Sequence, residues 1–404
     1  MRSTSPRRFF LARLHQHAHA VSYSATKDLD GVRADRPDVV YICDWLPPDF
    51  GAVGQYSLHF SRERVRAGRS VALYGLSSKQ PSVDFERHHD AFLKVVRLKV
   101  RPYDKSSLAK RALWTARTNA RLLWHAFGDI IHSKEVVFTG SPPFLLHLLA
   151  PLNLLFRRQL IYRITDFFPE CLMAELGRTP AGLALLYRLT VFWRRRVSQF
   201  EVLGEDQRRR LVEIGIDESR IVLRRDPSPV SVPPSTRPLP RPPSLTGKRI
   251  LLYSGNFGVA HDHETFLAAY ERHHRHGNAG VALWLNATGA RANALNAALI
   301  ERGLPVFRTE PVPLDQLACL LVTADAHLIT LRDAFAGFVL PSKVYGCIES
   351  GKDILFIGPR ASDVHLLCDQ SRQQAQYFHC NVGDVDGVYA ALEKLGAADS
   401  NRRA

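Results

Sequence analysis

The sequence predicts an α/β protein made of two doubly wound domains. Three observations carry that expectation. A strand–loop–helix–strand grammar recurs along the chain, one proline-crowded stretch interrupts it, and the grammar then restarts with a glycine-rich turn. With 404 residues, the chain exceeds one ordinary core, so two domains of roughly 150–200 residues each are expected.

Residues 1–37 stand apart. Arg2, Arg7, Arg8 and Arg13 surround Phe9, Phe10 and Leu11, and His15, His17 and His19 follow. That apolar patch is too short for the core of a signal peptide, and the segment is expected to be a poorly ordered extension. Regular structure begins with the β-branched run Val39 to Cys43, which reads as a buried parallel strand. A breaker-rich loop from Asp44 to Gly54 comes next, then a helix from Gln55 to Ala67 and a strand from Val71 to Gly75. Further strands are expected at Lys94 to Val100, Glu135 to Thr139, Leu160 to Ile164 and Phe200 to Leu203, and helices at Leu108 to Phe127, Phe144 to Phe156 and Ala181 to Arg196. These fill a first domain over 38–225.

Between Asp226 and Gly247 lie Pro227, Pro229, Pro233, Pro234, Pro238, Pro240, Pro242 and Pro243. Proline at this density gives a stiff connector that cannot sit inside a sheet, so 226–247 is the expected linker. The second domain, 248–385, starts with a strand at Arg249 to Ser254 and the turn Gly255-Asn256-Phe257-Gly258. Helices follow at about His263 to Arg275 and Lys343 to Ser350, with strands at Val281 to Leu285, His327 to Thr330 and Asp353 to Ile357. Residues 386–404 complete the chain as a helix and tail. Open α/β sheets bind ligands at the carboxyl ends of their strands, so the expected site is a cleft with the two domains facing each other across it.

Composition narrows the partners. The formal charge is +15, which calls for an anionic ligand or surface unless it merely reflects arginine-rich codon usage. No nucleic-acid-binding motif is present, so nucleic acid is not an expected partner. The cysteines Cys43, Cys171, Cys319, Cys347, Cys368 and Cys380 form no CxxC pair. They read as thiols of a reducing, cytoplasmic compartment rather than as a zinc site. No run of ~18 apolar residues exists to span a bilayer. The apolar helices ending in Arg157-Arg158 and Arg194-Arg195-Arg196 fit either an anionic membrane interface or core helices with solvated arginines.

Four motifs carry possible chemistry. Pro341-Ser342-Lys343 opens a helix with Ser342 as candidate N-cap. Free N–H groups there suit a diphosphate, and a first-turn lysine is disfavoured by the helix dipole unless an anion is bound. A solvated surface lysine is the alternative. Ser254-Gly255-Asn256-Phe257-Gly258 lets backbone approach a phosphate, or is an ordinary strand–helix turn. Pro47 to Gln55, with Gly51 and Gly54, is the matching turn of the first domain, again with a plain turn as its rival. Thr165-Asp166-Phe167-Phe168-Pro169-Glu170 places two carboxylates after a strand, where they could act on a sugar hydroxyl, though Glu170 equally suits a helix cap. His261-Asp262-His263-Glu264 resembles a metal cluster but fits better as a cap by Asp262, and His273, His274 and His276 read as a solvated helix end.

Taken in order, Cys43 to Gly51, Thr139 to Phe144, Asp166 to Glu170, Tyr253 to Gly258 and Pro341 to Gly346 resemble the retaining nucleotide-sugar glycosyltransferases of the family-4-like group, with the two-Rossmann-domain GT-B fold. The subgroup acting in bacterial capsule, exopolysaccharide and colanic-acid-type pathways is the most similar. The resemblance implies that the donor is held by Gly255, Asn256, Phe257, Gly258, Thr330, Ser342 and Lys343. It implies that Asp166 and Lys343 serve catalysis, and that Gly51, Gly54 and Glu170 belong to the acceptor and leaving-group loops. It implies transfer with retention, no metal or other cofactor, and a polyprenyl-diphosphate-linked saccharide as acceptor on the inner face of a membrane. Relatives carry a pair of glutamates around the last helix. Here Phe338 and Gly346 stand at those positions, which leaves open a non-catalytic nucleotide-binding or scaffold relative. A nucleotide-sugar epimerase on the same fold is the third reading.

Overall fold

The computed structural model describes residues 36–49, 51–101, 108–371 and 375–397. The expected extension, up to residue 35, and the tail from 398 lie outside the described residues. The chain divides into two compact units, Met1–Tyr103 with Leu122–Val136, and Asp104–Arg121 with Val137–Ala404.

The first unit contains β1 (Val39–Trp45), α1 (Ala52–Arg66), β2 (Val71–Ser77), β3 (Ser82–His88) and β4 (Ala91–Lys99). Its strands lie in the order β3-β4-β2-β1. β1–β2 and β2–β4 are parallel and β3–β4 antiparallel. β2 is buried throughout and reads as a strand at once, whereas β3 (SVDFERH) is almost wholly exposed. β4 falls on the strand expected at Lys94 to Val100, but β3 was not legible in the sequence because an edge strand needs no apolar face. α1 presses Tyr56, Phe60 and Val65 inward. Asp49 pins the breaker-rich loop by accepting from Ser77 Oγ at 2.7 Å and the Ser78 amide at 3.0 Å. α2 (Leu108–Ile130) and β5 (Glu135–Thr139) straddle the division along the chain.

The second unit continues with α3 (Leu145–Phe156), β6 (Gln159–Ile164), α4 (Glu170–Leu176), α5 (Ala181–Arg194), β7 (Gln199–Val202), α6 (Glu205–Glu213) and β8 (Ile221–Leu223). The strands lie in the order β5-β6-β7-β8. The proline-crowded stretch then packs Leu239 and Leu245 onto the second sheet's core. That sheet is built from β9 (Arg249–Asn256), α7 (Glu264–His276), β10 (Val281–Thr288), α8 (Ala290–Glu301), β11 (Val306–Thr309), α9 (Leu314–Thr323), β12 (Ala326–Thr330), α10 (Lys343–Glu349), β13 (Asp353–Ile357), α11 (Asp363–Gln370), β14 (Tyr377–Cys380) and α12 (Val385–Ala397). Its order is β11-β10-β9-β12-β13-β14, with every pairing parallel. This is the doubly wound order 3-2-1-4-5-6, in which the chain reverses direction between the first and fourth strands.

Buried charges tie the second unit together. Arg163, fully buried on β6, reaches Glu201 at 3.1 Å and Asp226 at 2.6 Å. The starts of α6 and α11 cap each other: the Glu205 amide donates to Asp363 Oδ1 at 3.0 Å, and the Asp363 amide to Asp206 Oδ2 at 3.0 Å. Each carboxylate thereby satisfies free N–H groups and faces the positive end of a helix. Two expectations are corrected here. His273 is buried, not solvated, and accepts from the Val281 amide while its other ring nitrogen meets Glu393. Of the three arginines ending α5, Arg194 is buried and only Arg195 and Arg196 are exposed.

Candidate functional site

The reversal in strand order leaves the carboxyl ends of β9 and β12 diverging, and the turn after β9 is shaped for that place. Gly255 adopts φ +110°, a conformation that costs a side-chain-bearing residue dearly. The Phe257 amide donates to Thr288 O at 2.7 Å, and Phe257 O accepts from the Arg291 amide at 3.2 Å, so the turn is fastened to the loop between β10 and α8. Gly289, at φ +108°, makes that approach possible. A Cβ there would stand 2.6 Å from Phe257 O and 2.7 Å from Asn256 Oδ1. Asn256 is exposed beside Gly255 and Gly258, whereas Phe257 is fully buried and supports the turn from beneath.

Below the turn is an aromatic stack. The Tyr253 and Phe257 rings lie 4.2 Å apart, nearly parallel, and the His261 ring meets both edge-on. His261 Nδ1 sits 2.6 Å from the carbonyl oxygen of Thr330, which ties the loop between β9 and α7 to the end of β12. Burial, with the nearby Lys343 charge, pushes the His261 pKa down to about 3, so the ring is neutral and Nδ1–H donates to that carbonyl. Asp262 accepts from the Thr265 amide at 3.2 Å and so caps the start of α7, as its sequence position suggests.

Lys343 enters this stack from the other side. The residue is half-buried, but its Nζ is buried, has no hydrogen-bond partner among the described residues and lies 3.2 Å from the centre of the Tyr253 ring. Burial drives its pKa well below the ordinary lysine value. The cation–π contact offers part of what water would have supplied. Cys347, one turn along α10, is also buried, and its thiol is pushed up to about 12. Ser342 has helical backbone angles and makes no side-chain cap, contrary to its expected role. Among the described residues, the Ser342 and Lys343 amides donate to no protein acceptor. The structure therefore brings Gly255 to Gly258, Thr330, Ser342 and Lys343 to the switch point of one sheet.

Asp166 reaches the segment leading into α10. It forms a β-bridge with Val339, and the Phe167 amide donates to Phe338 O at 2.9 Å. The residue is open to solvent, yet surrounding protein desolvates its carboxyl and pushes the pKa up to about 6. Phe338 packs its ring 6.1 Å from that of Phe167 and under the guanidinium of Arg210. Glu170 is differently placed: it is buried and held by both terminal nitrogens of Arg194, which also donates to Phe168 O at 3.1 Å. Its carboxylate serves to hold the loop after β6. In the first unit, Gly51 is the extended residue before α1, and Gly54 lies so close to β1 that a Cβ would stand 1.8 Å from Trp45 O.

No family model matches the sequence. A probable glycosyltransferase, WbjE of Pseudomonas aeruginosa, is 26% identical over 247 residues, which is 59% of this chain and 60% of that protein. Among solved structures, HepE of Anabaena, in complex with UDP and glucose, has a TM-score of 0.59 at 9% identity, covering 90% of this chain and 91% of the other. WaaG, a glycosyltransferase involved in lipopolysaccharide biosynthesis, has a TM-score of 0.55 at 13% identity, with 90% and 91% covered. The trehalose-6-phosphate protein of E. coli bound with UDP-2-fluoro glucose has 0.56 at 12%, with 89% and 91% covered. The fold is GT-B. This GT-B chain has two Rossmann-like parallel-sheet domains, the fold class its repeated grammar predicted. Sequence reading assigned no supporting role at the site to Tyr253, His261 or Arg194. Tyr253 read as one more strand residue, His261 as one of a polar quartet, and Arg194 as one of three adjacent arginines.

Proposed function

We propose that this chain is a glycosyltransferase that takes a sugar from a nucleoside-diphosphate donor and passes it, with retention, to a saccharide carried on a polyprenyl diphosphate. The carrying observation is the unpartnered, buried Nζ of Lys343 beside the glycine turn at the switch point of the second sheet. A buried amine without an acceptor is costly, and a diphosphate seated on the Ser342 and Lys343 amides would supply the acceptor. WbjE is a probable glycosyltransferase, and HepE binds UDP and glucose. Both support a nucleotide sugar as the ligand.

The chemistry asked of these residues is mostly electrostatic. Lys343 and the free amides stabilise charge that builds on the departing nucleotide, and Asp166, accessible and ionised above its raised pKa, faces the sugar. Purified protein with a panel of UDP-, GDP- and dTDP-sugars and lipid-linked acceptors tests the reading. Transfer is expected from at least one donor, with the anomeric configuration of the product preserved by NMR. Absence of both transfer and donor hydrolysis across the panel would overturn it. A non-catalytic nucleotide-binding relative is the second reading, favoured by the packing of Phe338 where relatives hold a carboxylate. It is the outcome if nucleotides bind but no sugar moves.

A further inference from the structure

Among the described residues, the second unit exposes an apolar face on α3 and α5. On α3, Leu148, Leu152 and Leu155 follow the spacing of a single helical stripe and are exposed, Leu155 to 77%. On α5, Leu185, Leu189 and Phe192 repeat that spacing, with Leu185 at 69%. The two helices are neighbours, with His147 Nε2 lying 3.1 Å from Thr190 Oγ1. Exposed apolar stripes of this kind mark an interaction surface rather than ordinary solvent contact.

Charge selects the occupant. Neither helix carries an Asp or Glu, while Arg157, Arg188 and Arg196 are exposed along and beyond them. The Arg196 guanidinium lies 3.5 Å from the centre of the exposed Phe192 ring. A second copy of the chain meeting this face about a two-fold axis would bring arginines together with no carboxylate on either helix to offset them. An anionic lipid surface meets both requirements, since its headgroups take the guanidinium groups and its acyl boundary takes the leucines.

We propose that α3 and α5 form a docking face for an anionic membrane surface, with Leu155, Leu185 and Phe192 inserted and Arg157, Arg188 and Arg196 on lipid phosphates. The inference stands independently of sugar transfer. Its test is flotation of the full chain with vesicles of phosphatidylcholine alone and with vesicles enriched in phosphatidylglycerol. Binding is expected to the anionic vesicles and to be much weaker with the neutral ones. Leu155→Ser and Leu185→Ser should each weaken it about tenfold. Arg157→Ala and Arg188→Ala should each weaken it about fivefold. All four positions are exposed, so the variants should keep the wild-type melting curve and any nucleotide binding, which separates failure here from failure of the transferase reading. The proposal is overturned if the wild type binds neither vesicle, or binds both equally. It is also overturned if the four variants bind like wild type, which would place the attachment elsewhere in the chain, or if light scattering shows a dimer that the leucine variants dissolve.

Discussion

Lys343 Nζ stands 3.2 Å from the centre of the Tyr253 ring and has no hydrogen-bond acceptor. A buried ammonium left in that state disfavours its own charge, and its pKa is accordingly far below 10.5. The protein free of ligand holds a group that a bound diphosphate would relieve.

Removing the amine should therefore stabilise the free protein. Lys343→Met keeps the stem and discards the unpaired donor, with an expected gain of about 1–3 kcal/mol. The sign with pH follows from the direction of the shift. Between the depressed folded pKa and 10.5 the unfolded chain binds more protons, so wild-type stability rises with pH across that window. Urea melts at several pH values check both statements: the variant should be the more stable and should lose this part of the slope. A less stable variant would show that the amine has a partner in solution.

Nucleotide binding should draw in a proton. A diphosphate beside Nζ raises the lysine pKa again, so the complex holds more protons than the free protein between the two values. Affinity then increases as pH falls through that window. Calorimetry in buffers of different ionisation enthalpy measures the uptake directly, and proton release on binding would contradict it.

Asp166 should govern the acid limb of the reaction. With its pKa pushed up to about 6, the ionised form is lost as pH falls through that value, and turnover should fall with it. Asp166→Asn should lower kcat by about 10²–10⁴ and remove that limb. The stability sign is the reverse of the usual carboxylate. A folded pKa above 3.8 means ionisation opposes the fold, so wild type loses stability as pH rises from about 4 to 6, and the variant does not. A pH profile unchanged in the variant would remove Asp166 from the chemistry.

Glu170 should matter to the fold rather than the chemistry. Glu170→Ala leaves Arg194 buried and uncompensated, at an expected loss of about 3–5 kcal/mol. Pairing it with Arg194→Met should recover much of that loss, because neither charge then remains buried alone. A double variant whose loss equals the sum of the two single-variant losses would mean that the pair carries no coupling.

The second sheet was legible because Ile250 to Tyr253 and Val281 to Leu285 are apolar runs that only burial on both faces explains. The polar edge strand β3 was not, since its exposed face leaves no period to read. At the site, the glycine turn and the lysine after Pro341-Ser342 announce themselves through local backbone demands. The direction of the lysine side chain does not, because it depends on Tyr253, distant in the chain. Arg194 is the same case: three arginines in a row look alike, and only the helical turn that points one of them at Glu170 distinguishes it. The linear pattern showed where chemistry could sit, and long-range packing decided which groups are held and which are open.

The most direct test titrates UDP, GDP and dTDP by calorimetry into wild type and into Lys343→Met. At least one nucleotide should bind the wild type, and binding should be lost, or weakened by about 10² or more, in a variant that melts no lower. Silence for all three nucleotides, or equal binding by the variant, would contradict a diphosphate seat at Ser342 and Lys343.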